Sequence, residues 1–294
     1  MDTPLSLFFD TAKKFGLLTA LIKSLGRIAG RRVLVEQVDT DFPKPPVPRD
    51  LSMPTTEDAQ TVHPRYRALH DAYPRIKYVM PLPNDRMMLH VGAPNVENFY
   101  VVGDAWAHVL SRFIKPGATV MDAGCGCGRT ARFLALNANI RQFIGFDVIK
   151  PYVDWCQRFF GEAYPGRFQF HHLDVKSERY NPSGVIAGRD ARFPANNETV
   201  DVFYAGSLFT HLYPEDAKGY AAEMARVLTK NGRAVVSFHD EPIAGNEFTG
   251  NEYRADYAAD YFAQLMADVG LELVEDLAQL CSQRTYVLGR QAWE

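Results

Sequence analysis

The chain has 294 residues, of which 47% are hydrophobic and 23% charged, with a net charge of −3. This is a globular composition, long enough for one large domain or a domain with an added segment, and it lacks the excess of Lys and Arg that would attract a phosphate backbone, so no nucleic-acid partner is expected. No run of about 18 uncharged apolar residues is present and the N-terminus lacks the basic, apolar, small-residue order of a cleaved leader. Cys125 and Cys127, one residue apart in a glycine-rich turn, have neither the spacing of zinc pairs nor that of a disulfide framework, and the four cysteines read as reduced thiols of a cytoplasmic protein.

Leu5 to Arg32 reads as a helix, with Leu18, Ile22, Leu25 and Ala29 on one face and Lys23 and Arg27 opposite. Its apolar face needs a partner. Packing within the chain or in a homodimer is the simpler reading, and a membrane surface reached through Lys13, Lys14, Lys23, Arg27, Arg31 and Arg32 is the disfavoured one. Pro43, Pro45, Pro46, Pro48 and Pro54 exclude a helix or central strand, so residues 1–60 are read as a helix and proline-rich arm, and residues 61–294 as the main domain. Val62 to Pro94 carries a mixed signal. Val96 to Ile114 reads as a helix stopped by Lys115-Pro116-Gly117.

Beyond Gly117, short β-rich runs alternate with helical patterns, the pattern of a parallel sheet covered on both faces. Strands are expected at Thr119 to Ala123, Gln142 to Asp147, Arg167 to Leu173, Val200 to Ala205, Arg233 to His239, Glu272 to Asp276 and Arg284 to Leu288. Helices are expected at Arg129 to Ala138, Pro151 to Phe160, Glu215 to Leu228 and Ala255 to Val269. The last two strands leave no room for a crossover helix and should form an antiparallel hairpin. The expected fold is α/β, a seven-stranded, mostly parallel sheet with helices on both faces and an N-terminal helical arm.

The run Val120-Met121-Asp122-Ala123-Gly124-Cys125-Gly126-Cys127-Gly128 comes after a predicted strand and opens a helix, so its glycines allow a tight turn and close approach of a ligand. About 20 residues on, Asp147 ends the second strand, where a carboxylate can accept both hydroxyls of a ribose. This points to an adenosine-type ligand. A G-x-G-x-x-G turn would face a pyrophosphate, whereas here Gly124, Gly126 and Gly128 are preceded by Asp122, which repels a pyrophosphate but can orient an ammonium group. The pattern resembles the class I S-adenosylmethionine-dependent methyltransferases, over residues from about 96 to 290. The resemblance implies a Rossmann-like fold, S-adenosyl-L-methionine as cofactor, and a cofactor site at Asp122, Gly124, Gly126, Gly128, Asp147, Val148, Asp174, Val175 and Gly206. Asn231 stands where that family more often has proline or glycine.

The chemistry implied is in-line attack on a sulfonium methyl, so the protein must align the nucleophile and, for a hydroxyl, accept its proton. His211, in Gly206-Ser207-Leu208-Phe209-Thr210-His211-Leu212 after the fourth strand, is the first candidate base, with helix capping or packing beneath the turn as the competing role. His239, in Ser237-Phe238-His239-Asp240-Glu241, is the second candidate, in a cluster able to bind a hydroxyl or, as the lesser reading, a divalent metal beside a sugar diol; no metal ligand is assigned. His171 and His172 lie on the third strand, and one of them is expected to wall the core or cofactor and not to act as a catalyst. Two long polar segments, Lys176 to Arg189 and Glu241 to Tyr253, are expected to enclose the acceptor together with the arm, with Tyr180, Tyr253 and Tyr257 available to stack on sugar faces.

Val96-Glu97-Asn98-Phe99 to Gly103-Asp104, Tyr180-Asn181-Pro182-Ser183-Gly184 and Phe209-Thr210-His211-Leu212 are similar to bacterial methyltransferases associated with surface-glycan biosynthesis, which implies a sugar or saccharide hydroxyl as acceptor. N-methylation of an amino sugar or other amine, an NAD(P)-dependent oxidoreductase, and a non-catalytic cofactor-binding protein are the alternatives.

Overall fold

The structure is a computed structural model that describes residues 52–72 and 80–290. The helix expected at Leu5 to Arg32 and most of the proline-rich arm lie outside the described residues. Among the described residues no helix is long and apolar enough to cross a membrane.

A seven-stranded sheet organises the domain. Its strands are β1 (Ala118–Ala123), β2 (Ile140–Asp147), β3 (Phe168–His172), β4 (Val200–Ala205), β5 (Leu228–Phe238), β8 (Leu271–Leu280) and β9 (Gln283–Arg290), in the order β3-β2-β1-β4-β5-β9-β8. β1 to β5 are parallel, while β9 runs antiparallel to both β5 and β8, closing the sheet with the hairpin expected from the short connection. Every residue of β1 is buried, as a central strand covered on both faces requires. The pleat sorts side chains between two cores: Val120 and Phe143 face one layer, and Met121 and Ile144 the other.

The first layer contains α3 (Val96–Ser111), the short α4 (Ala131–Leu134) and α5 (Lys150–Cys156), the last continued by a π-helical turn at Gln157–Gly161. Trp106, Trp155, Phe143, Phe160 and Phe168 fill it. The second contains α6 (Pro214–Val227) and α7 (Ala259–Ala267), with Phe203, Phe238 and Phe262 fully buried between them and the sheet. Burial of each such ring is worth about 1.5–3 kcal/mol.

The segment of mixed signal folds into α1 (Pro64–Ala72) and α2 (Asp85–His90). Asn84 caps α2 by accepting from the Met87 amide at 2.9 Å, and Asn95 caps α3 by accepting from Asn98 at 2.8 Å. Buried Arg132 donates to the carbonyls of Met80 (2.6 Å) and Pro81, tying this segment to α4 and so to the turn after β1.

Four expectations need correction. The helix expected from Ala255 begins only at Ala259, because Arg254–Tyr257 forms strand β7, paired antiparallel with β6 (Phe248–Asn251) in a separate hairpin. The helical periodicity of the sequence runs back across Tyr257, yet that side chain is wholly buried and its hydroxyl donates to the Leu212 carbonyl at 2.5 Å; it packs the core instead of presenting a sugar-stacking face. The helix after the glycine turn is four residues long, not ten, since the turn continues through Thr130. β5 starts at Leu228, directly after α6, where the sequence suggests a turn through Asn231.

Candidate active site

The strand order reverses between β1 and β4, and in open α/β sheets the crevice beyond the carboxyl ends at such a point is where ligands bind. A cavity of about 800 Å3 occupies it, within the range of roughly 300–1,000 Å3 usual for small-molecule sites. Its floor is the turn after β1 and its walls come from the ends of β2, β4 and β5.

Gly124, Gly126 and Gly128 have φ of +71°, +53° and +77°. These values lie in the left-handed region, where a Cβ is costly. A Cβ on Gly128 would stand 2.6 Å from a ring carbon of Phe160, and one on Gly126 would stand 3.0 Å from Val91, so the turn is wedged between the π-helical turn and the α2 segment. The Gly126 amide donates to Oδ2 of Asp147 at 2.8 Å and the Ile149 amide to Oδ1 at 2.8 Å. The second acid is thereby oriented, each oxygen keeping a lone pair for a further donor. Burial lifts Asp147 to about 6 against the pull of these amides, and lifts Asp122 to about 8, reinforced by the charge of Asp147 and opposed by Arg129.

Val148, Val175 and Gly206 line the cavity. Asp174 does not: its Oδ1 accepts from Asn181 Nδ2 at 2.9 Å, and Val175 lines the wall instead. His171 and His172 stay out of the cavity lining, His172 Nε2 lying 3.1 Å from the Val148 carbonyl oxygen.

His211 and His239 both line the cavity. His211 closes a 3₁₀ turn, Phe209–His211. Its Nδ1 is 2.9 Å from the Glu252 carbonyl oxygen and its Nε2 is 3.1 Å from the Tyr180 hydroxyl. A carbonyl only accepts, so Nδ1 carries the proton and Nε2 the lone pair. Burial, then the charge of Arg179, pushes His211 down to about 4, which keeps the ring neutral near pH 7. His239 is held low mainly by burial. The neighbouring carboxylates are taken: Asp240 pairs with Arg284, and Arg254 pairs with both Glu241 and Asp256.

Several cavity residues escape a sequence reading. His90, at the end of α2, has its Nδ1 2.5 Å from the Tyr152 hydroxyl and its ring edge-on to Tyr180. Burial above all pushes it to about 4. Gln283 donates to Ser207 Oγ at 2.8 Å, and the Ser237 hydroxyl holds the Ser207 amide at 2.8 Å, which stabilises Ser207 at φ +63° beside Gly206. These residues stand at the ends of elements that converge only in space, and no local spacing marks them. Ser52 and Met53, which belong to the arm, also line the cavity.

The two long polar segments clasp each other across the mouth. Glu252 Oε2 accepts from Ser177 Oγ (2.5 Å) and from the Arg179 amide (3.1 Å), while Arg179 Nη1 donates to the Tyr253 carbonyl at 2.8 Å.

Residues 120–232 match a family model described as a methyltransferase domain. Among solved structures, the chain is similar to a TehB-like S-adenosylmethionine-dependent methyltransferase from Corynebacterium glutamicum, at 20% identity over 76% of this chain and 100% of that one, with a TM-score of 0.46. It is also similar to a 1,6-didemethyltoxoflavin-N1-methyltransferase from Burkholderia thailandensis (16% identity, 79% and 91% of the chains, TM-score 0.49) and a magnesium protoporphyrin IX methyltransferase from Synechocystis (18%, 67% and 87%, TM-score 0.48). The left-handed glycine turn between two buried acids, at the switch point of the sheet, lies within the residues 120–232 that match the methyltransferase-domain model.

Proposed function

We propose that the chain transfers the methyl group of S-adenosylmethionine to an oxygen of a small polar acceptor, a sugar or saccharide hydroxyl in the simplest case. The observation that carries this reading is the continuity of one cavity from the acids that suit the cofactor, Asp122 and Asp147, to the histidines His211 and His239. Asp122 suits the ammonium of the methionine moiety and its neighbour Arg129 the carboxylate, while Asp147 suits the ribose hydroxyls. When bound, the cofactor supplies an electrophilic methyl group. The protein's part is to hold the acceptor oxygen in line and to receive its proton, for which neutral His211 offers Nε2, directly or through the Tyr180 hydroxyl. The clasp between residues 177–180 and the β6–β7 hairpin supports exclusion of water from the reaction.

The low basicity of His211 favours a second reading, N-methylation of an amine that arrives neutral and needs only a weak proton acceptor. Incubation with methyl-labelled cofactor and a panel of sugars and amino sugars, with the methylated atom assigned by NMR, tests both. Methyl on oxygen in a reaction that His211→Ala suppresses supports the first reading. Methyl on nitrogen with His211→Ala still active replaces it with the second.

A further inference from the structure

At the acceptor end of the cavity, Arg179 is held as a fixed, uncompensated cation. Its Nη1 donates to the Tyr253 carbonyl at 2.8 Å, and the guanidinium lies 4.7 Å from the ring centre of Tyr180 and 5.4 Å from that of Tyr253. A planar cation anchored at one nitrogen and flanked by two rings has little orientational freedom left. Nη1 also approaches His211 Nδ1 at 3.3 Å, a contact between two donors once the proton of Nδ1 is committed to Glu252. Among the described residues Arg179 makes no ion pair, and its Nε and Nη2 donate to nothing.

Other arginines around the site have an acid beside them. Arg284 pairs with Asp240 and Asp276, Arg254 pairs with Asp256, and Arg129, which donates to the Val91 carbonyl, stands close enough to Asp122 to act on its charge. Glu252, the acid closest in the clasp, spends Oε2 on the Ser177 hydroxyl and on the main-chain amide of Arg179, leaving the guanidinium alone. Lys176, also in the cavity lining, adds a second positive charge on the same wall. The charge of Arg179 is felt by its neighbours, since it helps to hold both His90 and His211 neutral. A guanidinium fork with two unused edges, facing a small-molecule cavity between two tyrosine rings, has the geometry that recognises a carboxylate or phosphate.

We propose that the acceptor carries an anionic group, a carboxylate or a phosphate monoester, and that Arg179 binds it and so determines which acceptors are methylated. The proposal rests on the reading of this cavity as the methyl-transfer site. The ring contacts and the Tyr253 hydrogen bond alone would also serve a strut within the clasp, which would show no preference among ligands.

The test is calorimetric titration of the full chain, saturated with S-adenosylhomocysteine, with three pairs of probes: glucuronate against glucose, glucose 6-phosphate against glucose, and benzoate against benzyl alcohol. The expected result is that at least one anionic probe binds tenfold or more tightly than its neutral partner, the pairs showing whether carboxylate or phosphate is preferred. Arg179→Gln should abolish that preference, the anionic probe falling to the affinity of its neutral partner, while S-adenosylhomocysteine still binds and so reports an intact cofactor end, and Arg179→Lys should retain part of the preference. Wild-type protein that binds no anion better than its neutral partner, including the case in which no probe binds, overturns the proposal. So does a preference that survives in Arg179→Gln. Failure of the wild-type chain to take up S-adenosylhomocysteine would instead sink the reading of the cavity on which the proposal rests.

Discussion

The hydroxyl of Tyr180 lies 3.1 Å from Nε2 of His211. This contact joins the candidate base to a side chain of the cavity wall, and the Glu252 carbonyl at Nδ1 selects the tautomer in which Nε2 is the accepting nitrogen.

Removing the base should therefore cost rate more than binding. His211→Ala is expected to lower kcat by about 10²–10⁴-fold with little change in cofactor affinity, measured by steady-state kinetics and by calorimetry with S-adenosylhomocysteine. Because His211 is held at about 4, it stays in its accepting form above that pH. The kcat profile should then lack the limb near pH 6.5 that an ordinary histidine gives, and decline only toward pH 4.

The same shift bears on stability. His90 and His211 are both pushed to about 4, whereas in the unfolded chain they take up protons near 6.5. Between those values the unfolded state binds more protons, so their contribution is present above pH 6.5 and is lost as the pH falls toward 4. Urea unfolding of wild type and of a His90→Gln variant between pH 4 and 7 checks this. A wild-type stability that falls no more than that of the variant would contradict it.

Asp122 works in the opposite sense. Burial raises it to about 8, so its contribution to the cofactor-free fold is complete below the ordinary carboxylate range and is lost as the pH rises through 8. Asp122→Asn should raise Tm at pH 8, by about 2–4 °C per kcal/mol recovered, and weaken cofactor binding. Binding of the ammonium group requires the carboxylate, so association between pH 6 and 8 should release up to about one proton. Calorimetry in buffers of different ionisation enthalpy measures that release.

Gly128 and Gly117 both hold left-handed backbone, at φ +77° and +85°, but a Cβ meets Phe160 at the first and open space at the second. Gly117→Ala should cost about 1–2 kcal/mol for the backbone alone. Gly128→Ala should cost more and also weaken S-adenosylhomocysteine binding, because the turn must shift. Equal losses by chemical denaturation, with cofactor affinity intact in both, would show that the wedge against Phe160 is unimportant.

Glu252 ties the two lid segments together through Ser177 and the Arg179 amide. Glu252→Ala should therefore speed amide hydrogen exchange at residues 177–181 and in the β6–β7 hairpin and raise the acceptor KM, while Tm stays nearly unchanged because the clasp lies outside both cores. Exchange rates identical to wild type would refute a clasp.

Local sequence determined a good deal of this. β1 to β5 and the closing hairpin are legible because each strand carries its own β-rich run, and the cofactor turn because Asp122, Gly124, Gly126, Gly128 and Asp147 lie within 26 consecutive residues, where backbone geometry alone dictates residue type. The β6–β7 hairpin is not legible. Its alternation is four residues long in each strand, and the helical period of Ala259–Ala267 extends back across it. Position after β3 assigns Asp174 to the cofactor, but its carboxylate turns to Asn181, a choice made by the loop that returns over it.

Only the tertiary structure brought together His90, Tyr152, Tyr180, His211 and Glu252, which come from α2, α5, the segment after β3, the turn after β4 and the hairpin after β5. Sequence spacing reports neighbours within one helix or strand, where hydrogen bonding sets the period. Groups meeting across a crevice are neighbours through the packing of whole elements, and it is this packing that chose the histidine tautomer and, among the described residues, left Arg179 without a counter-ion.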